Sequence, residues 1–139
     1  MKPTIISGNK HVDERGIISF NNDFNALGIK RIYLMENKDV FFIRGWQGHK
    51  IENRWFCATN GKFEVKLIKI DNWELPNQNL KSESFILTAG NMDVLMVPRG
   101  YITSIQSLET ESKLLLMSDY LLGEVKDEYR FDINYFVYE

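Results

Sequence analysis

The run Arg44-Gly45-Trp46-Gln47-Gly48-His49-Lys50, followed by Arg54-Trp55-Phe56, is the densest cluster of chemically able side chains in the chain. Its two glycines let a backbone approach a ligand closely. Arg44, Lys50 and Arg54 offer positive charge to a phosphate, the arginines bidentately. His49 is one of two histidines and the one inside this run. In an extended strand, alternation puts Gln47 and His49 on one face. Two polar groups on the inner face of a small barrel need partners, and a pocket supplies them. The competing readings are a hydrogen-bonded structural histidine and a solvated basic strand face. Tyr33, Tyr101 and Tyr120 are candidate acids or sugar-hydroxyl partners; half-buried aromatics with a bonded hydroxyl are the plainer alternative. His11 sits in a polar stretch and reads as solvated.

The elements that must position these groups are short strands. Ile17 to Phe20, Arg31 to Met35 and Val40 to Arg44 are branched or aromatic runs bounded by turn residues. Trp55 to Thr59 and Phe63 to Ile70 flank Asn60-Gly61, the dipeptide of a type I′ hairpin. Glu64, Lys66 and Lys69 among Val65, Leu67, Ile68 and Ile70 predict a strand with one wet face. Asp71 to Ser82 predicts a long loop, of the kind that often covers a site; Trp73 within it is read as packing, with a pocket lid or a base-stacking role as the other options. Ser84 to Thr88, Val94 to Val97, Ser104 to Leu108 and Lys113 to Ser118 supply later strands, with a sharp break at Pro98-Arg99-Gly100. Glu124 to Tyr129 is a candidate helical turn, and Tyr135 to Tyr138 a last strand or packed tail. The pattern predicts an all-β sandwich or barrel with under about 15% helix.

Composition narrows the classes of function. At 139 residues the chain is read as one domain, able to bury roughly 68–70% of its unfolded surface without disulfides or metal. A formal net charge of -2, with Lys and Arg scattered among Asp and Glu, argues against nucleic acid. No stretch approaches the ~20 apolar residues of a membrane helix, and no leader pattern opens the chain. The single cysteine, Cys57, cannot make an internal disulfide, fits a reducing cytoplasm, and reads as a small buried hydrophobe.

Three blocks occur in order: Asp13-Glu14-Arg15-Gly16, Lys30-Arg31-Ile32-Tyr33 and Arg44-Gly45-Trp46-Gln47-Gly48-His49-Lys50. They resemble the sugar 3,4-ketoisomerases, whose pattern is Asp-x-Arg-Gly, Lys-Arg-x-Tyr and Arg-Gly-x-His-Ala-His-Lys. The related dTDP-4-dehydrorhamnose 3,5-epimerases share Arg-Gly-x-His. Their Pro-x-Gly-x-x-His turn and later Asp-Tyr are matched by Pro98 to Thr103 and by Asp119-Tyr120. The resemblance spans Asp13 to Tyr120. It implies a cupin jelly roll, often a homodimer, that acts on a dTDP-linked keto-deoxysugar for surface polysaccharide. Open sandwich edges also favour a partner copy.

The departures are at the base and at the metal positions. The first histidine of the pattern, the base the resemblance implies, is Gln47, and an amide cannot take that proton. The epimerase histidine after Pro-x-Gly is Thr103. Metal-binding cupins use His-x-His, a Glu and a later His, where this chain has Gln47, His49, Arg54 and Thr103. No metal and no cofactor are expected, because one imidazole beside an arginine makes a poor cation site. The implied chemistry is proton transfer beside a ketone, with His49 as base, Tyr33 or Tyr120 as proton donor, and Arg15, Arg44, Gln47, Lys50, Arg54 and Tyr101 binding substrate. The rival expectation is a cupin that binds a nucleotide-sugar or saccharide without turning it over.

Overall fold

The computed structural model describes residues 1–137 and forms two five-stranded antiparallel sheets packed face to face, with a separate two-stranded hairpin. The first sheet orders β1 (Thr4–Ile6), β9 (Val94–Val97), β6 (Arg54–Asn60), β11 (Lys113–Ser118) and β4 (Arg31–Met35). The second orders β12 (Glu128–Arg130), β5 (Ile43–His49), β10 (Tyr101–Ser107), β7 (Lys62–Lys69) and β8 (Glu83–Thr88). The hairpin is β2 (Asn9–Asp13) with β3 (Gly16–Phe20), and it joins neither sheet. The described residues contain no helix. This is the all-β sandwich expected from the strand pattern and the jelly roll that the resemblance implied.

Alternation builds the core. Phe56, Ala58, Phe63, Val65, Leu67, Leu95, Leu114 and Leu116 point inward from four strands and close over one another between the sheets. Glu64 and Lys66 take the outward positions of β7, as its one-wet-face pattern required. Two smaller clusters cover the outer faces. Cys57, Val94 and Met117 lie under Phe24 and Ile29, from the β3–β4 connection. Cys57 is buried and unpaired, and burial pushes its thiol up. Trp46, Ile68, Ile70 and Ile102 lie under Trp73, Leu80 and the tail at Phe131 to Phe136. The long loop after β7 therefore covers the back of the second sheet. Trp73 packs on Tyr129 with ring centres 4.8 Å apart. Tyr135 and Phe136 form the packed tail; Tyr138 lies outside the described residues.

Four expectations are corrected. Asn60-Gly61 does not close a hairpin: β6 pairs with β9 and β11, while β7 pairs with β10 and β8. Gly61 alone has positive φ (+70°), so the type I′ geometry is absent and the chain steps from one sheet to the other. The buried faces Phe56–Ala58 and Phe63–Val65 then oppose each other across the core, and that burial outweighs the local turn preference. Next, β5 starts at Ile43 and not Val40. The Asp39 carboxylate accepts the N–H groups of Phe41 and Phe42 at 2.9 and 2.8 Å, holding them in a turn. Third, β10 begins at Tyr101, directly after Gly100, and ends before Leu108. Last, Glu128–Arg130 is a strand and not part of a helical turn, because it pairs with the open edge of β5.

The close approach of β5 and β10 rests on Gly48. A Cβ there would lie 2.3 Å from the Tyr101 carbonyl oxygen and 2.6 Å from Ile102 Cα. Gly48→Ala is expected to destabilise the fold by ~1–3 kcal/mol, the usual cost of overpacking. Urea unfolding with an unchanged midpoint would show that the strands can separate at no cost.

Candidate functional site

The inward face of the sandwich changes character along its length. At one end it is apolar; at the other, the same faces carry polar groups. Across the first sheet, Ser118 stands between Arg31 and Arg54. Across the second, His49 stands between Glu128 and Tyr101, and Gln47 between Arg130 and Thr103. Two cavities open here and share Tyr33 and Gln47 as a common wall. One, of about 410 Å³, is lined by Arg44, Arg54, Arg130, Glu36 and Thr103. The other, of about 860 Å³, is lined by Arg31, His49, Glu52, Lys126 and Asp127. Both volumes suit a small-molecule ligand.

His49 is hydrogen-bonded to one carboxylate and lies beside a second. Its Nδ1 lies 3.0 Å from Asp127 Oδ1 and 3.4 Å from Glu52 Oε2. The other Asp127 oxygen accepts the N–H groups of Ile51 and Glu52 at 2.7 and 2.8 Å. Burial works to raise the Asp127 carboxyl, but the His49 ring and these two N–H groups together hold it below the usual carboxylate range. Glu52 Oε1 accepts the Ser118 hydroxyl and, at 3.3 Å, Arg31 Nη2. His49, Glu52 and Asp127 are only 6, 5 and 4% exposed, so their mutual fields are weakly screened. With Nδ1 bonded to Asp127, Nε2 is the ring nitrogen left to the cavity that His49 lines.

Arg54 is a buried cation without a carboxylate in hydrogen-bond contact. It sits 5.1 Å over the Phe56 ring, and its Nη2 has no hydrogen-bond partner. Burial pushes the guanidinium down from its usual range; Tyr33 and Glu52 nearby oppose that. Arg44 is exposed at the mouth of the smaller cavity and donates from Nε to Asn37 Oδ1 at 3.1 Å.

Five of the expected site residues converge: Tyr33, Arg44, Gln47, His49 and Arg54. Four do not. Lys50 is exposed just past β5 and lines neither cavity; only its N–H is tied, to the Asp127 carbonyl at 3.3 Å. Arg15 lies on the outlying hairpin, paired with Asp13 at 2.8 Å. Tyr101 packs against the apolar core, and burial pushes its phenol up. Tyr120 follows β11 and lies under Lys30, whose Nζ is 5.8 Å from the ring centre. Asp127 and Arg130 were not foreseen. Neither carries a local signal, since β12 reaches the site only by pairing with β5.

His49 Nδ1, Glu52 and Asp127 offer three donor atoms within 4.8 Å of one another, the makings of a cation site. Each is already engaged: Asp127 by three hydrogen bonds and Glu52 by Ser118 and Arg31.

No protein-family model matches the chain, and no curated protein is significantly similar to it in sequence. Its fold is shared with solved structures. A 3,4-ketoisomerase from Helicobacter canadensis has a TM-score of 0.72 at 20% identity, over 98% of this chain and 96% of that one. A mutant 3,4-ketoisomerase from Thermoanaerobacterium thermosaccharolyticum, in complex with TDP-4-keto-6-deoxyglucose, has 0.70 at 19% identity, over 96% and 91%. A dTDP-4-dehydrorhamnose 3,5-epimerase from Bacillus anthracis, with TDP and PPi bound, has 0.72 at 17% identity, over 95% and 79%. The jelly roll is thus the cupin fold of these sugar enzymes.

Asp127 contributes stability wherever its carboxyl is ionised. Its folded-state value lies below the ordinary 3.8, so the contribution is present above that value and is lost as pH falls through the folded-state value. Asp127→Asn is expected to be less stable than the parent at neutral pH. The gap should narrow once the medium is acidified below about pH 4. A gap of constant size from pH 7 to pH 3 (approximately, by chemical denaturation) would contradict this account.

Proposed function

We propose that this protein is an isomerase or epimerase of a nucleotide-linked keto-deoxysugar, of the dTDP-4-keto-6-deoxyhexose class, acting by proton abstraction beside the ketone. The observation that carries this reading is the buried His49–Asp127 pair, held so that the second ring nitrogen is left to a cavity it shares with Tyr33. A base of this kind needs a defined tautomer and a partner for the imidazolium it becomes, and Asp127 supplies both. The TDP-sugar and TDP ligands of the fold neighbours support the ligand class.

The residues divide the work as follows. Nε2 of His49 takes the hydrogen from the carbon next to the ketone, and the electron pair moves onto the ketone oxygen as an enediolate. Arg54, a cation built into the cavity wall, stabilises that oxygen; a preorganised charge in a dry site acts without reorganising. Tyr33 returns a proton to carbon. Arg44 and Arg130, at the smaller cavity, meet the diphosphate, where the sequence leads one to expect Arg44, Lys50 and Arg54. Gln47 spans both cavities as a hydrogen-bonding wall.

The reading includes a homodimer. The outlying hairpin exposes Val12, Ile17 and Ile18, and edge strand β4 exposes Ile32 and Leu34, apolar surface that suits a second copy. It also includes cytoplasmic deoxysugar synthesis for surface polysaccharide.

Two measurements test the reading. Calorimetry should show saturable dTDP binding, weakened by ~1–3 kcal/mol in Arg44→Ala, which loses a charge-assisted hydrogen bond to the diphosphate. Solvent deuterium exchange into dTDP-4-keto-6-deoxyglucose should fall by about 10²–10⁴-fold in His49→Asn and by less in Gln47→Ala. Saturable binding with no exchange above the buffer rate would replace the enzyme with a binding module. Full exchange in His49→Asn would move the base elsewhere.

A further inference from the structure

Asp127 alone would suffice to orient His49, yet a second buried carboxylate stands beside the same nitrogen. Glu52 Oε2 is 3.4 Å from His49 Nδ1. Its placement is built: the Glu52 N–H donates to Asp127, and Glu52 Oε1 is gripped by Ser118 and Arg31. Arg31 in turn sits 5.1 Å over the Tyr33 ring and lines the same cavity as His49. A single carboxylate therefore links the imidazole to the arginine beside the tyrosine.

We propose that Glu52 is a positioning residue for His49, a second anion behind the ring that stabilises the imidazolium formed when the base takes its proton. The proposal rests on the isomerase or epimerase reading. Before proton transfer, Nδ1–H faces two carboxylates and Nε2 is a lone pair. After it, the ring carries a full positive charge between Asp127 and Glu52, in a site that water barely reaches. Only the charged state uses the second carboxylate fully, so its effect falls on the step that makes the charge and spares substrate binding. Ser118 and Arg31 keep Glu52 from turning away in the uncharged state.

The test uses the full chain with dTDP-4-keto-6-deoxyglucose. Glu52→Gln keeps the side chain's volume and removes its charge. The saturated rate of solvent deuterium exchange should fall by about 10- to 100-fold, the effect of losing a partner to a charged group, with KM little changed. Ser118→Ala loosens the grip on Glu52 without touching His49, and should give a smaller loss in the same parameter. It also serves as the second variant should Glu52→Gln not fold. Nitrogen-15 NMR of the two histidines supplies a readout independent of turnover, with exposed His11 as the internal reference. The His49 Nδ1 proton should resonate far downfield in the parent, and move upfield and exchange faster in Glu52→Gln. Unchanged exchange in both folded variants, or an unchanged Nδ1 signal, overturns the role of Glu52 and leaves the enzyme reading standing. No exchange in the parent, with the Nδ1 signal shifting as expected, overturns the enzyme reading and keeps Glu52 as the anchor of His49.

Discussion

The hydrogen bonds of the Asp127 carboxylate set the geometry of the site, because they join side chain and backbone from three pieces of chain at one point. One oxygen takes the His49 ring at the end of β5. The other takes the backbone of Ile51 and Glu52, in the turn that leads to β6. Asp127 itself precedes β12, which adds to the edge of β5. A charged group this deep survives only with its acceptor sites filled. That requirement fixes the β5–β6 turn, the last strand and the imidazole in one arrangement.

Arg54 shows the opposite strategy. It lies inside the first sheet over Phe56, near Tyr33 and Glu52 but with one nitrogen unpartnered. Burying a cation without a bonded anion is costly, and the ring face offsets only part of that cost. Such strain is informative. Elsewhere on the inward faces the chain spends its positions on Phe, Val and Leu, so a guanidinium at the polar end is a departure from the packing rule, and departures of that kind concentrate where a ligand binds.

The two ends of the sandwich are thus governed by different physics. Between the sheets, alternating side chains exclude water and set which strands can oppose each other. At the polar end, hydrogen-bond satisfaction replaces hydrophobic burial as the ordering force. Irregular segments cover part of each outer face, residues 21–30 on one sheet and the long loop with the tail on the other. The two cavities lie between the sheets at the polar end.

The amino-acid order by itself determined where most strands lie and which of their faces are dry. Arg31–Met35, Val94–Val97 and Lys113–Ser118 match their expected bounds, because short apolar runs bounded by turn residues permit little else. It also determined that Gln47 and His49 share a face, since period two is a property of any extended strand. What the tertiary structure alone decided is partnership. Asn60-Gly61 reads locally as a hairpin, yet its flanking strands enter different sheets, because the core rewards facing Phe56 toward Phe63 more than pairing their backbones. Lys50, Arg15, Tyr101 and Tyr120 carry suitable chemistry at suitable spacing, yet none of them lines either cavity. Asp127 is 78 residues from His49 and carries no mark of its own in the sequence. Its role comes from an unpaired strand edge that recruits residues 128–130, and with them the carboxylate that the imidazole requires.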